Sequence, residues 1–192
     1  MMKNINLEKA AYVVIDIQEG IIKNGSFEPH TAKQVLTVTN TLTEHFKNTK
    51  SLITLVNVDA TTFHYLHPAR FTRNQEIHVP IEYMEFSTNI ANDSSAENVL
   101  EVTKHSPSAF FGTDLDLQLR RRGIDTIILS GVISSNGVYA TALDAFQHGY
   151  HLYIVEDAIT DRDKELHNIF VNKLYPKLGT VVTSSEVLKV ER

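Results

Sequence analysis

The sequence predicts an α/β protein, a Rossmann-like three-layer α/β/α sandwich around a six-stranded, mostly parallel sheet. Three observations predict it. Apolar runs rich in β-branched residues recur along the chain, as expected of strands covered on both faces. Between them lie stretches with apolar residues at helical spacing. The stretch Thr126–Asp157 contains a complete strand–loop–helix–strand unit, the repeating piece of such folds.

In chain order, Ala10–Ile15 is a continuous apolar run and reads as a central parallel strand. Gly20–Pro29 reads as a loop, and Thr31–Lys47 as an amphipathic helix with Val35, Val38, Leu42 and Phe46 on its inner face. Leu52–Val58 is the second strand, ended by Asp59. Ala60–Ser95 is the least regular region, and a loop of that length in a compact domain is usually functional, often a lid. Asn98–Thr103 reads as a short strand running into Lys104. The turn-rich Lys104–Gly112 follows, then a helix capped by Thr113 or Asp114 with Leu115 and Leu119 facing inward. Thr126–Ser130 is a buried strand. Gly131–Gly137 is a turn cluster bracketed by glycines, and Val138, Thr141, Ala142, Ala145 and Phe146 mark a helix ended by Gly149. Leu152–Val155 begins the fifth strand, which Asp157–Asp161 closes at the same sheet edge. Asp163–Tyr175 reads as a helix with Leu166, Ile169, Phe170 and Leu174 as its stripe, and Thr180–Thr183 as the last strand.

Composition narrows the function classes. A chain of 192 residues with 42% hydrophobic and 21% charged residues fits one folded domain, residues 1–192, with no internal repeat or linker. A net charge of −5, with no basic run longer than Arg120–Arg122, argues against nucleic acid as a partner. The absence of cysteine removes disulfides, thiolate metal sites and thiolate nucleophiles. The N-terminal apolar run passes straight into a strand, and no segment has the length of a membrane span, so the expected location is the cytoplasm and the expected partner a small molecule.

Several side chains carry possible chemistry. Asp16 stands at the carboxyl end of the first strand, inside a hydrophobic run. It is either a turn former or a functional acid, and apolar surroundings would raise its pKa. Lys104, at another strand end facing the same crevice, is either a solvated head group or a partner able to handle an anion beside Asp16. In the lid, His64 and His67 have a spacing compatible with a metal, but without a convincing third ligand they read as surface histidines. Arg70 and Arg73 are either carboxylate clamps or solvated charges. The amides opening the helix after Gly131–Gly137 favour negative charge.

Three segments, VVIDIQ around Asp16, the VTKHSPSAFFG stretch around Lys104, and GVISSNGVYATALDAFQHGYHLYIVEDAITD, together resemble the isochorismatase-like hydrolase superfamily, which includes nicotinamidases and N-carbamoyl amidohydrolases. The resemblance runs from about Ala10 to about Leu174. Most members carry an Asp–Lys–Cys triad. Asp16 and Lys104 match the first two, and Gly137 stands at the cysteine position. The resemblance also implies a cis peptide bond between Val132 and Ile133, pocket-facing amides at Ile133 and Gly137, and a homo-oligomer. The nicotinamidase metal motif, Asp-x-His, would begin at Asp59, but Thr61 occupies its third position. No cofactor is implied.

One branch of the superfamily cleaves a vinyl ether without a nucleophile. By that resemblance Asp16 is a general acid, Lys104 binds a substrate carboxylate and orients Asp16, and Gln18 hydrogen-bonds substrate. Arg70 or Arg73 is a further carboxylate partner. The loop Ile133–Val138 departs from that branch and is closer to the amidase pattern with its cysteine lost. The other readings are an inactive member that keeps its pocket for binding, or a serine-dependent amidohydrolase using Ser134 or Ser135.

Overall fold

The computed structural model describes residues 5–61 and 79–190. Six strands form one sheet in the order β3-β2-β1-β4-β5-β6, every neighbouring pair parallel. The strands are β1 (Ala10–Ile15), β2 (Leu52–Val58), β3 (Val99–Lys104), β4 (Thr126–Val132), β5 (His151–Thr160) and β6 (Thr180–Val182). The helices are α1 (Glu19–Ile22), α2 (Ala32–Phe46), α3 (Leu115–Arg121), α4 (Gly137–Gln147), α5 (Lys164–Ile169) and α6 (Ser184–Val187). The expected α/β/α class holds, with a sheet that is wholly parallel.

Alternation along β1 builds the three layers. Ala11, Val13 and Ile15 join the core that includes Leu115 and Leu119 of α3 and Val138, Ala142 and Ala145 of α4. Tyr12 and Val14 join the opposite core with Val35, Leu42 and Phe46 of α2. Successive side chains of a strand point to opposite faces, so a strand covered on both sides must be apolar throughout. All six residues of β1 are buried.

Local chemistry sets the helix ends. Thr31 caps α2 through a reciprocal pair with Gln34, which satisfies two otherwise orphaned amides. Gly149, at φ 82°, ends α4 by letting Tyr150 N donate to Ala145 O at 3.0 Å and Gly149 N to Phe146 O at 3.0 Å.

Three readings of the sequence change. The 20–29 segment opens with the short helix α1 rather than being loop throughout. Phe146 is 49% exposed, because the buried face of α4 is made by Val138, Thr141, Ala142 and Ala145. The stripe after Asp163 is also different. Leu166 and Ile169 are exposed, while His167, Val171 and Tyr175 face the core at four-residue spacing. The backbone widens into a π-type turn over Phe170–Leu174, so the expected single helix is divided. Polar His167 takes an inward position because it has a buried hydrogen-bond partner, Ser134.

Candidate active site

The strand order reverses between β1 and β4, and in open α/β sheets the crevice at that point is the usual ligand site. Gly131 brings the two strands together there. A side chain at this position would place Cβ 2.1 Å from the Ile15 carbonyl oxygen, and its φ of 124° is one that side chains rarely adopt. Ile15 pairs with Gly131, so Asp16 emerges beside the bend that leaves β4. Asp16 has φ 57°, in the left-handed region that aspartate tolerates better than most residues, and its amide is held by Val56 O at 2.8 Å. The Val132–Ile133 bond is cis, as the resemblance implied.

Asp16, Lys104 and Gly137 meet at this point. Lys104 Nζ lies 2.9 Å from Asp16 Oδ2 and donates to Pro107 O at 2.6 Å, with its side chain only 1% exposed. A Cβ on Gly137 would sit 2.8 Å from Asp16 Oδ2, 2.9 Å from Lys104 Nζ and 3.3 Å from Ile15 Cγ2. A side chain at position 137 would therefore lie directly against the acid and the amine. Asp16 Oδ1 is buried and has no hydrogen-bond partner among the described residues. Burial raises the Asp16 carboxyl from 3.8 to about 6, against the opposing pull of Lys104. Asp16 is thus an acid that can be protonated near neutral pH beside a buried cation.

Gln18, expected to contact substrate, is fully buried and engaged with backbone. Its Nε2 donates to Val58 O at 3.2 Å and Tyr83 O at 3.0 Å, and its Oε1 accepts from Val58 N at 2.7 Å. It ties the end of β2 to the segment around Tyr83. Ser134 is also fully buried. Its hydroxyl donates to Asp161 Oδ2 at 2.8 Å and lies 3.1 Å from His167 Nδ1, and its carbonyl accepts from Tyr175 Oη at 2.6 Å. Both Asp161 and His167 contact the hydroxyl itself, so this set lacks the acid–histidine contact that orients a catalytic base. Burial, reinforced by nearby His30, lowers the His167 pKa, while Asp161 opposes the shift. Ile133, partly buried, opens the bend, and its carbonyl accepts from Asn136 N at 3.0 Å and Val138 N at 3.2 Å. Arg70, Arg73, His64 and His67 lie outside the described residues. At Asp59, Oδ1 is bonded by Thr61 N at 2.9 Å and Thr61 Oγ1 at 2.6 Å, so this carboxylate closes its own turn.

The sequence reading passed over Asp161 as a site residue. Its Oδ2 also accepts from Ser135 N at 2.8 Å, so one carboxylate braces two residues of the bend. The run Asp161–Asp163 after a strand end was the available signal, but turn formers there are common. Tyr83, whose carbonyl accepts from Gln18, carries no local signal in the sequence. The Tyr83 ring presses on Gly20, where a Cβ would be 1.9 Å from Tyr83 Cδ2, and burial raises its hydroxyl pKa.

The isochorismatase domain model matches residues 10–186, and by this match the chain belongs to the isochorismatase family of hydrolases. The isochorismatase family protein YwoC of Bacillus subtilis is 35% identical over 195 residues, covering 97% of this chain and 96% of the relative. An isochorismatase family structure from Burkholderia thailandensis superposes with a TM-score of 0.80 at 29% identity, covering 94% of each chain. Shorter matches reach maleamate amidohydrolase of Pseudomonas putida, 34% identical over 88 residues, covering 46% of this chain and 41% of that protein. They also reach the phenazine biosynthesis protein PhzD of Pseudomonas fluorescens, 36% identical over 87 residues, covering 45% and 42%.

Proposed function

We propose that this chain is a thiol-independent hydrolase that cleaves a vinyl ether by acid catalysis, acting on isochorismate or a related small carboxylate. The observation that carries this reading is a buried acid and amine that meet at a glycine, a position with no side chain to attack a carbonyl. Asp16 and Lys104 are both in place, and the chain has no cysteine.

In the proposed reaction Asp16, neutral when substrate binds, gives its proton to the terminal vinyl carbon. The resulting oxocarbenium ion takes up water, and the water proton returns to Asp16. The hemiketal then breaks to pyruvate and the ring alcohol. Oδ1, which has no hydrogen-bond partner among the described residues, is the oxygen that carries that proton. Lys104 has three donors. Among the described residues two are directed to Asp16 and Pro107 O, and in this reading the third meets a substrate carboxylate. In this reading, which follows the resemblance, the amides of Ile133 and Gly137 bind a carboxylate or water. No step uses Ser134, whose hydroxyl is bonded within the core. The exposed apolar side chains Leu143, Phe146, Leu166 and Ile169 fit the expectation of a homo-oligomer.

The test is pyruvate release from isochorismate by the pure protein and by Asp16→Asn. Release by the wild type and none by the variant is expected; an active Asn variant removes Asp16 as the acid.

A further inference from the structure

We propose that Thr141 is a positioning residue for the reaction: its buried hydroxyl ties the loop that holds the Lys104 ammonium to the helix that begins at Gly137, and so fixes the amine beside Asp16. The proposal rests on the reading above for what the acid and the amine do.

Helical spacing puts Thr141 on the inner face of α4 with Val138, Ala142 and Ala145, and it is fully buried. A hydroxyl in an apolar core is costly unless its hydrogen bonds are made. It offers one proton and two lone pairs. The proton goes to Gly137 O at 2.8 Å, one turn back along α4. That bond is a local habit of threonine in helices. The same oxygen also accepts from Ala109 N at 3.1 Å, and Ala109 lies 32 residues earlier in the chain. This second bond joins α4 to the turn-rich loop between β3 and α3.

The loop leads to the site. Ala109 is fully buried, so its amide needs a protein partner. Two residues before it, Pro107 O accepts from Lys104 Nζ at 2.6 Å. The intervening backbone is held by its own serines: Ser106 Oγ donates to Ser108 O at 3.3 Å, and Phe110 N donates to Ser108 Oγ at 3.1 Å. Thr113 Oγ1 donates to Ala109 O at 2.5 Å. A shift at Ala109 is therefore carried to Pro107 O, and from there to the ammonium. The backbone of Lys104 is fixed independently, since it pairs with Val58 in the sheet and its carbonyl accepts from Asp59 N at 2.9 Å. What Thr141 controls is the aim of the lysine side chain. One hydroxyl thus joins Gly137 to the anchor of an ammonium that lies 2.9 Å from Asp16 Oδ2.

The test is the titration of the Asp16 carboxyl carbon by NMR, in protein labelled at aspartate and assigned with Asp16→Asn. Lys104 is the charged group that holds this carboxyl down, so an ammonium that has drifted should let its midpoint rise. Thr141→Val and Thr141→Ala, which lose the hydroxyl, should raise the midpoint by about half a pH unit, less than Lys104→Met does. Thr141→Ser, which keeps the hydroxyl, should match the wild type. Ser51→Ala removes a different buried hydroxyl bond, to Leu7 O at 2.9 Å before β2, and should lower stability without moving the midpoint. With Lys104→Met already present, Thr141→Val should add no further rise. An unmoved midpoint in the two hydroxyl-free variants overturns the proposal, as does an equal rise when Lys104 is absent. Pyruvate release at pH 5 should fall about fivefold or more in Thr141→Val and recover in Thr141→Ser. Because the titration is read without turnover, a protein that releases no pyruvate but shows the Thr141 contrast would sink the vinyl-ether reading and leave this one standing.

Discussion

The position of Asp16 makes the pH profile of catalysis a sharp test, and Lys104 is the residue with which to perturb it. With the carboxyl raised to about 6, Asp16 is protonated in about 90% of molecules at pH 5, about 10% at pH 7 and about 1% at pH 8. A general acid must carry its proton, so kcat/KM for vinyl-ether cleavage should fall roughly tenfold per pH unit above the pKa. Burial is the larger cause of the raised value, and Lys104 holds it down through its charge and hydrogen bond. Lys104→Met removes the opposing cause. The alkaline limb should then move to higher pH, even as the lost carboxylate contact lowers the absolute rate. The assay is initial-rate pyruvate release from pH 5 to 9 at subsaturating substrate, where kcat/KM reports the free enzyme. A flat wild-type profile, or a limb that stays or moves to lower pH in Lys104→Met, would refute the reasoning.

Four further predictions concern this cluster and its surroundings. A carboxyl whose folded pKa is raised contributes stability that is fully present below 3.8 and is lost as pH rises through about 6. Asp16→Asn, a neutral isostere, should therefore match the wild type near pH 4 and exceed it at pH 8 by up to about 3 kcal/mol in urea unfolding. A constant difference across that range would contradict the assignment. Gly137→Ala inserts a Cβ within 3 Å of both Asp16 Oδ2 and Lys104 Nζ, so cleavage should fall by about tenfold or more while the protein remains folded by circular dichroism. Gly137→Cys crowds the same pair and should lose vinyl-ether cleavage as well, whereas hydrolysis of nicotinamide or a carbamoyl compound by this variant would mark an amidase site. Gln18→Ala leaves Val58 N, Val58 O and Tyr83 O without their partner. It should cost about 2–4 kcal/mol of stability, and a change confined to KM would restore Gln18 as a substrate contact.

Much of this fold could be read from the chain because buried parallel strands must be apolar on both faces and helix ends need specific residues. Ala10–Ile15, Thr126–Val132, the Thr31 cap and Gly149 all carry such signals. Asp16 and Lys104 were legible for a related reason, since charged groups ending apolar runs need partners. Harder to foresee were side chains whose partners are distant in sequence. Gln18 reaches Val58 and Tyr83, and Ser134 reaches Asp161 and His167, through contacts that no local pattern encodes. The helix after Asp163 misled for a different reason. Its apolar residues Leu166 and Ile169 suggested one inner face, but the buried hydrogen bond of His167 and the π-type turn set another.

Running the isochorismate reaction in D2O tests the central claim most directly, because the proposed acid delivers its proton to carbon. The account predicts pyruvate with a single deuterium in its methyl group, formed by the wild type and not by Asp16→Asn. Pyruvate without that deuterium, or no pyruvate from a protein that hydrolyses small amides, would contradict it.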